Sequence, residues 1–270
     1  MASLALPLQP ATQPRPVAAP EEGPLVDFCI IGVQKAGTTA LHHFLGQHPL
    51  IQLSHEKEVH YFDAEQRLAA AGAGHAAYHA AFPPARPGTL TGESTPIYIF
   101  WPGALERLAA YNPAMRIIVL VRDPAERAHS HWRMSSGRGR DALSFPAAIR
   151  EGRARLAEGG DFALRNWSYV ERGFYGAQAR RVLGLFPRRQ VLFLRTEDLR
   201  ERHMATLAGV FGFLGLPAIP VRPSLIFCDA GGGGQQEMTG EDRRHLRALY
   251  RGDLRDFAGL AGLDVTAWLG

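Results

Sequence analysis

An α/β fold, one three-layer domain around a central parallel sheet, is what this sequence predicts, and three observations carry the prediction. Apolar runs of strand length recur at residues 26–33, 116–121 and 190–195, and each ends at a turn without alternating polar residues, as strands buried on both faces do. A stretch with helical spacing follows each run, so strands and helices alternate along the chain. The 270 residues are 46% apolar, enough for one substantial core.

Residues 1–24 are rich in Pro and Ala, carry no charge before Arg15 and show no periodicity, which predicts a disordered tail ahead of a single domain over residues 25–270. The tail lacks the charged start of a secretory signal, and Pro7 interrupts its short apolar stretch. No apolar run approaches the roughly 18 residues of a membrane span. The expectation is a soluble, cytoplasmic protein.

Val26-Asp27-Phe28-Cys29-Ile30-Ile31-Gly32-Val33 reads as the first strand. Thr38 or Thr39 can cap the helix after it, Leu41, Phe44 and Leu45 form its apolar face, and Pro49 stops it. Arg116-Ile117-Ile118-Val119-Leu120-Val121 is a second strand, leading through Arg122-Asp123-Pro124 into a helix over residues 125–134. Residues 137–160 form a polar insertion with a helix over 144–158, a substrate lid or a surface excursion. Gln190-Val191-Leu192-Phe193-Leu194-Arg195 is the third strand, and the helix begun at Thr196-Glu197-Asp198 is expected to reach Leu214. A flexible loop, Gly231-Gly232-Gly233-Gly234, precedes a C-terminal helix from Glu241.

The formal charge is +4, unevenly spread: residues 116–202 hold 18 Arg against 10 Asp plus Glu. That half suits an anionic ligand, although arginines on solvated helix faces give the same count. The interleaved aromatics of a nucleic-acid platform are sparse, so no nucleic acid is expected as partner. Cys29 and Cys228 make neither a disulfide framework nor a metal cluster. His55 and His60 are five apart, not the four of the zinc-protease helix, and His75 and His79 have no acid between them, so no metal is expected.

Only two of the thirty basic residues are lysines, Lys35 and Lys57. Lys35 lies in Gly32-Val33-Gln34-Lys35-Ala36-Gly37-Thr38-Thr39, a glycine turn between strand and helix. There free backbone N–H groups and the helix dipole both favour a phosphate. The triphosphate-binding loop, G-x-x-x-x-G-K-[ST], has its lysine directly after the second glycine. Here Gly32 and Gly37 keep the spacing, Thr38 takes the lysine position, and the lysine sits three residues earlier. No acidic strand end stands out as a magnesium site, which a kinase or triphosphatase needs. The loop favours a phosphate-bearing donor used without metal.

Gln34-Lys35-Ala36-Gly37-Thr38-Thr39-Ala40-Leu41 resembles the 5′-phosphosulfate-binding loop of sulfotransferases that use 3′-phosphoadenosine 5′-phosphosulfate (PAPS). The chain looks closest to the heparan-sulfate N- and 3-O-sulfotransferase group. Lys57-Glu58-Val59-His60-Tyr61-Phe62-Asp63 is similar to the K-E-x-H-F-F-D segment that carries the catalytic glutamate of the 3-O enzymes. Val121-Arg122-Asp123-Pro124-Ala125-Glu126-Arg127-Ala128-His129-Ser130 looks like the family's 3′-phosphate element, R-[DN]-P-x-x-R-A-x-S. Gly92-Glu93-Ser94-Thr95-Pro96, Arg172-Gly173-Phe174-Tyr175 and the closing stretch from Met238 to Trp268 are weaker echoes. The chain departs from the group in lacking the lysine of E-K-T-P and in having glycines where a K-G-R segment closes over the donor.

The resemblance implies a P-loop-like phosphosulfate site at Lys35, Ala36, Gly37, Thr38 and Thr39, with Arg122 and Ser130 on the 3′-phosphate. It makes Glu58 the general base and His60 its orienter or a direct contact to the sulfuryl group. Lys35 relieves charge on the departing phosphate. For Glu58 the alternative is a charge pair with Lys57 or a nearby arginine, for Arg122 an ion pair with Asp123 or Glu126, and for Ser130 a bond to its own backbone. On an extended segment, residues 58 and 60 project to one side. The implied acceptor is a glycan or small-molecule hydroxyl or amine, and the oligomeric state is open. Rival readings are a P-loop-type kinase and a catalytically silent nucleotide-binding module.

Overall fold

A computed structural model describes residues 25–66, 68, 74–223 and 236–270. The expected tail over residues 1–24, Cys228 and the glycine loop over residues 231–234 lie outside the described residues. Five parallel strands form one sheet: β1 (Phe28–Gly32), β2 (Ile51–Leu53), β3 (Leu90–Ser94), β4 (Arg116–Val121) and β5 (Val191–Arg195). Their order across the sheet is β2-β3-β1-β4-β5. β1 is fully buried, and β4 is buried in all but its first residue, as their unbroken Ile, Val and Leu runs require.

The helices are α1 (Thr38–Leu45), α2 (Ala76–His79), α3 (Ala104–Tyr111), α4 (Pro124–Gly137), α5 (Phe145–Glu158), α6 (Gly160–Asn166), α7 (Tyr175–Leu185), α8 (Thr196–Glu201), α9 (His203–Phe213) and α10 (Gly240–Ala261). α4 starts where its sequence says it should: the Asp123 carboxylate accepts from the backbone N–H of Ala125 at 2.8 Å and of Glu126 at 3.3 Å, and Pro124 opens the first turn. α10 starts on a reciprocal box between Thr239 and Asp242 and ends at Gly262 in the left-handed region. One apolar cluster joins sheet and helices, from Val26 to Trp268.

The structure corrects three expectations. Neither threonine caps α1; Gly37 does, at φ +92°, with Thr38 and Thr39 inside the first turn. The single helix expected from Thr196 to Leu214 is two, broken at Arg202. The Asp198 carbonyl there accepts from both the Arg202 N–H and the Thr206 hydroxyl at 2.9 Å, which holds the bend. Strands β2 and β3 escaped the apolar-run criterion altogether. β3 contains Gly92 and the buried Glu93, and Gly92 is required because a Cβ there would lie 2.2 Å from the Phe28 ring.

Candidate active site

All strands run parallel, so their carboxyl ends share one edge, where α/β sheets bind ligands. The segments leaving β1, β2, β3, β4 and β5 surround a cavity of about 860 Å³. The turn after β1 contributes Lys35, Ala36, Gly37, Thr38 and Thr39; the segment after β2 contributes Glu58. Pro96 follows β3, Arg122 and Ser130 follow β4, and Thr196 follows β5. Eight of the nine residues singled out in the sequence therefore line one space. The ninth, His60, stands behind Glu58.

The β1 turn is braced so that its amides face the cavity. Val33 N–H donates to the Leu120 carbonyl at 2.7 Å, and the Thr196 hydroxyl donates to the carbonyls of Ala36 at 2.6 Å and Val121 at 2.9 Å. No side chain caps α1 and no acid occupies its first turn. The helix thus offers its first N–H groups and positive dipole end to an anion.

Among the described residues, the non-glycine positions with positive φ are Lys35 (73°), Glu58 (68°) and His60 (52°). A left-handed backbone costs an L-residue roughly 1–2 kcal/mol, and such strain concentrates at working sites. The extended segment expected around Glu58 and His60 is therefore replaced by a chain that turns at both residues. They nevertheless meet, with His60 Nε2 3.4 Å from Glu58 Oε2. Glu58 N–H donates to the Ser94 carbonyl at 3.1 Å, pinning the turn to the end of β3.

A chain of charges runs through this turn. His60 Nδ1 lies 2.9 Å from Asp63 Oδ2, and Arg165 grips Asp63 through the same oxygen at 2.5 Å and its carbonyl at 2.7 Å. Arg165 is itself stacked over Trp101, 3.9 Å from the ring centre. Hydrogen bonds to Asp63 and to Glu58 raise His60 to about 9, so it is an imidazolium at neutral pH. Burial pushes Glu58 upward, but the His60 hydrogen bond and the Lys57 ammonium outweigh it and bring the carboxyl down to about 2. Glu58 is thus both things the sequence allowed, a cavity-lining carboxylate and the ion-pair partner of Lys57.

Arg122 likewise combines two readings. It lines the cavity, lies 3.5 Å from Glu126, and reaches the Lys35 carbonyl at 3.5 Å. Glu126 also pairs with Arg243 of α10 at 2.5 Å. His75 and His79 pack on tyrosines, near Tyr61 at 3.4 Å and Tyr111 at 2.9 Å respectively.

Sequence reasoning missed Asp63, Arg165, Gln34 and Arg172 as parts of the site. Asp63, Gln34 and Arg172 stood inside quoted motifs, so their signal was present; Arg165 carried none. Arg172 is 2% exposed and donates to the Gln34 side chain at 2.6 Å. Glu93 is fully buried, accepts from Tyr78 at 2.7 Å and Thr95 at 2.6 Å, and is raised by burial.

Comparison with known proteins identifies the family and the fold. A family model described as a sulfotransferase domain matches residues 25–227. Heparan sulfate glucosamine 3-O-sulfotransferase 3B1 of Mus musculus is 30% identical over 257 residues, 87% of this chain and 63% of that protein. The chain therefore spans about three fifths of that relative's length. The crystal structure of a sulfotransferase from Alicyclobacillus acidocaldarius shares 26% identity at a TM-score of 0.75, over 93% of this chain and 99% of that one. A mouse sulfotransferase solved in complex with PAP shares the fold, with a TM-score of 0.55 at 14% identity over 89% of this chain and 88% of that one.

Proposed function

This chain belongs to the sulfotransferase domain family, and from that premise we infer that it moves a sulfuryl group from PAPS to a hydroxyl or amine. The observation that carries the reading is one cavity lined by Lys35, Glu58, Arg122 and Ser130, with His60 behind Glu58 and the backbone strained at Lys35, Glu58 and His60.

The residues fit the donor. The uncapped start of α1 and Lys35 receive the 5′-phosphate, and Arg122 takes the 3′-phosphate, exchanging its Glu126 partner for a stronger anion. In the transfer the acceptor oxygen or nitrogen forms a bond to sulfur while the bond from sulfur to the bridging oxygen breaks. The electron pair of the broken bond stays on the phosphate, where Lys35 and the loop amides stabilise it. The acceptor proton passes to Glu58.

A carboxylate near 2 is a weak base, yet the acceptor proton becomes strongly acidic only as its oxygen bonds to sulfur. Glu58 therefore accepts late in the step. Its permanent ionisation, kept by His60 and Lys57, means that it never has to lose a proton first. The acceptor we favour is a carbohydrate hydroxyl, because the 3B1 relative is named for heparan sulfate glucosamine.

The test is thermal unfolding with the product 3′-phosphoadenosine 5′-phosphate (PAP) against ATP plus magnesium. At about 100 times Kd, PAP is expected to stabilise the protein by roughly 2.7 kcal/mol. Stabilisation by ATP-magnesium alone overturns the reading in favour of a kinase.

A further inference from the structure

Gln34 lines the cavity together with Lys35, its neighbour in the chain, and Glu58. Its Oε1 is the atom that meets Arg172 Nη1, at 2.6 Å. The two ends of an amide are usually interchangeable to the eye, but here chemistry fixes them. A guanidinium carries donors only, so the end facing it must be the oxygen. The two N–H groups of Gln34 then occupy the side of the amide turned away from Arg172.

Arg172 is itself held on several sides. Its Nε donates to Ser168 Oγ at 2.8 Å, its Nη2 to the carbonyls of Leu164 and Arg165 at 3.0 Å, and its plane lies over Phe100. None of these partners is a carboxylate, and burial brings the guanidinium down to about 9, still charged at neutral pH. The nearby carboxylates of Asp63 and Glu58 offset part of the cost of burying this cation, while these hydrogen bonds go to neutral groups. The Gln34 side chain ties Arg172 to the anion-binding turn.

Resting on the sulfuryl-transfer reading of this cavity, we propose that Gln34 is a further catalytic residue whose amide N–H groups hold the oxygens of the moving sulfuryl group, and that Arg172 is the positioning residue that aims it. The sulfur travels from the phosphate end, marked by Lys35, to the acceptor end, marked by Glu58, and Gln34 lines the same cavity as both. A neutral pair of donors suits that place. It stabilises sulfuryl oxygens throughout the transfer without competing with Lys35 for the leaving phosphate.

Calorimetric titration of PAPS and of PAP, which lacks the sulfuryl group, tests this without any acceptor. Gln34→Ala is expected to weaken PAPS about 5- to 10-fold and to leave PAP within about twofold. Arg172→Lys keeps the charge and loses the fork, so it is expected to give the same PAPS-selective loss. The double variant is then no worse than Gln34→Ala, because both changes remove one interaction. Equal weakening of PAPS and PAP, or of neither, overturns the proposal; losses that multiply overturn the role of Arg172. Should Arg172→Lys fail to fold, Gln34→Leu decides in the same way, since it fills the space without donors. A wild-type protein that binds neither ligand sinks the sulfuryl-transfer reading itself, which is a different result.

Discussion

Replacing His60 by Gln probes the charged heart of the site through stability. Hydrogen bonds to Asp63 and to Glu58 raise the imidazole from 6.5 to about 9. A raised value stabilises the fold fully below the unfolded pKa, and the stabilisation is lost as pH climbs through the folded one, so the window runs from 6.5 to about 9. At 1.36 kcal/mol per pH unit the limit is roughly 3 kcal/mol. The imidazole is 38% exposed, and solvent screening reduces this to about 1 kcal/mol. Urea unfolding at about pH 6 and about pH 9.5 reads the difference. Wild type is expected to lose about 1 kcal/mol more than His60→Gln across that interval, because every other titrating group is common to both proteins. Stability curves that stay parallel from pH 6 to 9.5 refute the ion-pair chain. Glu58 has the opposite sign: its contribution is present above 4.5 and fades as pH falls toward 2.

Three further outcomes are expected. Lys35→Arg conserves charge but replaces a compact ammonium in a left-handed turn by a broad fork, and kcat should fall about 10²-fold with PAP affinity nearly kept; stopped assays with saturating PAPS check it. Gly37→Ala puts a Cβ on a residue at φ +92° and should cost roughly 1–2 kcal/mol in urea unfolding, even though the nearest side-chain atom would be 3.7 Å away. Arg165→Met removes one of the two charged partners, Arg165 and His60, that hold the Asp63 carboxylate, whose side chain is 0% exposed. Because Arg165 is 33% exposed, about 2 kcal/mol is expected, below the 3–5 of fully buried pairs; a melting shift under 2 °C would contradict it.

The parts of the fold legible in the sequence were those whose burial is written in apolar side chains. β1, β4 and β5 announce themselves as runs, and Asp123-Pro124 marks the start of α4 to within a residue. β3 was illegible because its interior holds Gly92 and Glu93, residues that a strand tolerates only with Phe28 above one and Tyr78 and Thr95 around the other. The site was read through spacing, which places Lys35 relative to Gly32 and Gly37. The same spacing misjudged the segment at Glu58 and His60: left-handed backbone at two non-glycine residues is imposed by tertiary contacts, and no local propensity reveals it. Arg165 lies 102 residues from the aspartate it holds, so only the fold brings them together.

The central claim is that this cavity transfers sulfuryl groups with Glu58 as the base. Incubation of glycan and small-molecule acceptor pools with sulfur-labelled PAPS, using wild type and Glu58→Gln side by side, tests it most directly. Wild type is expected to label an acceptor, and Glu58→Gln to bind PAP equally well while losing at least about 10²-fold in transfer. Undiminished labelling by Glu58→Gln would contradict the account.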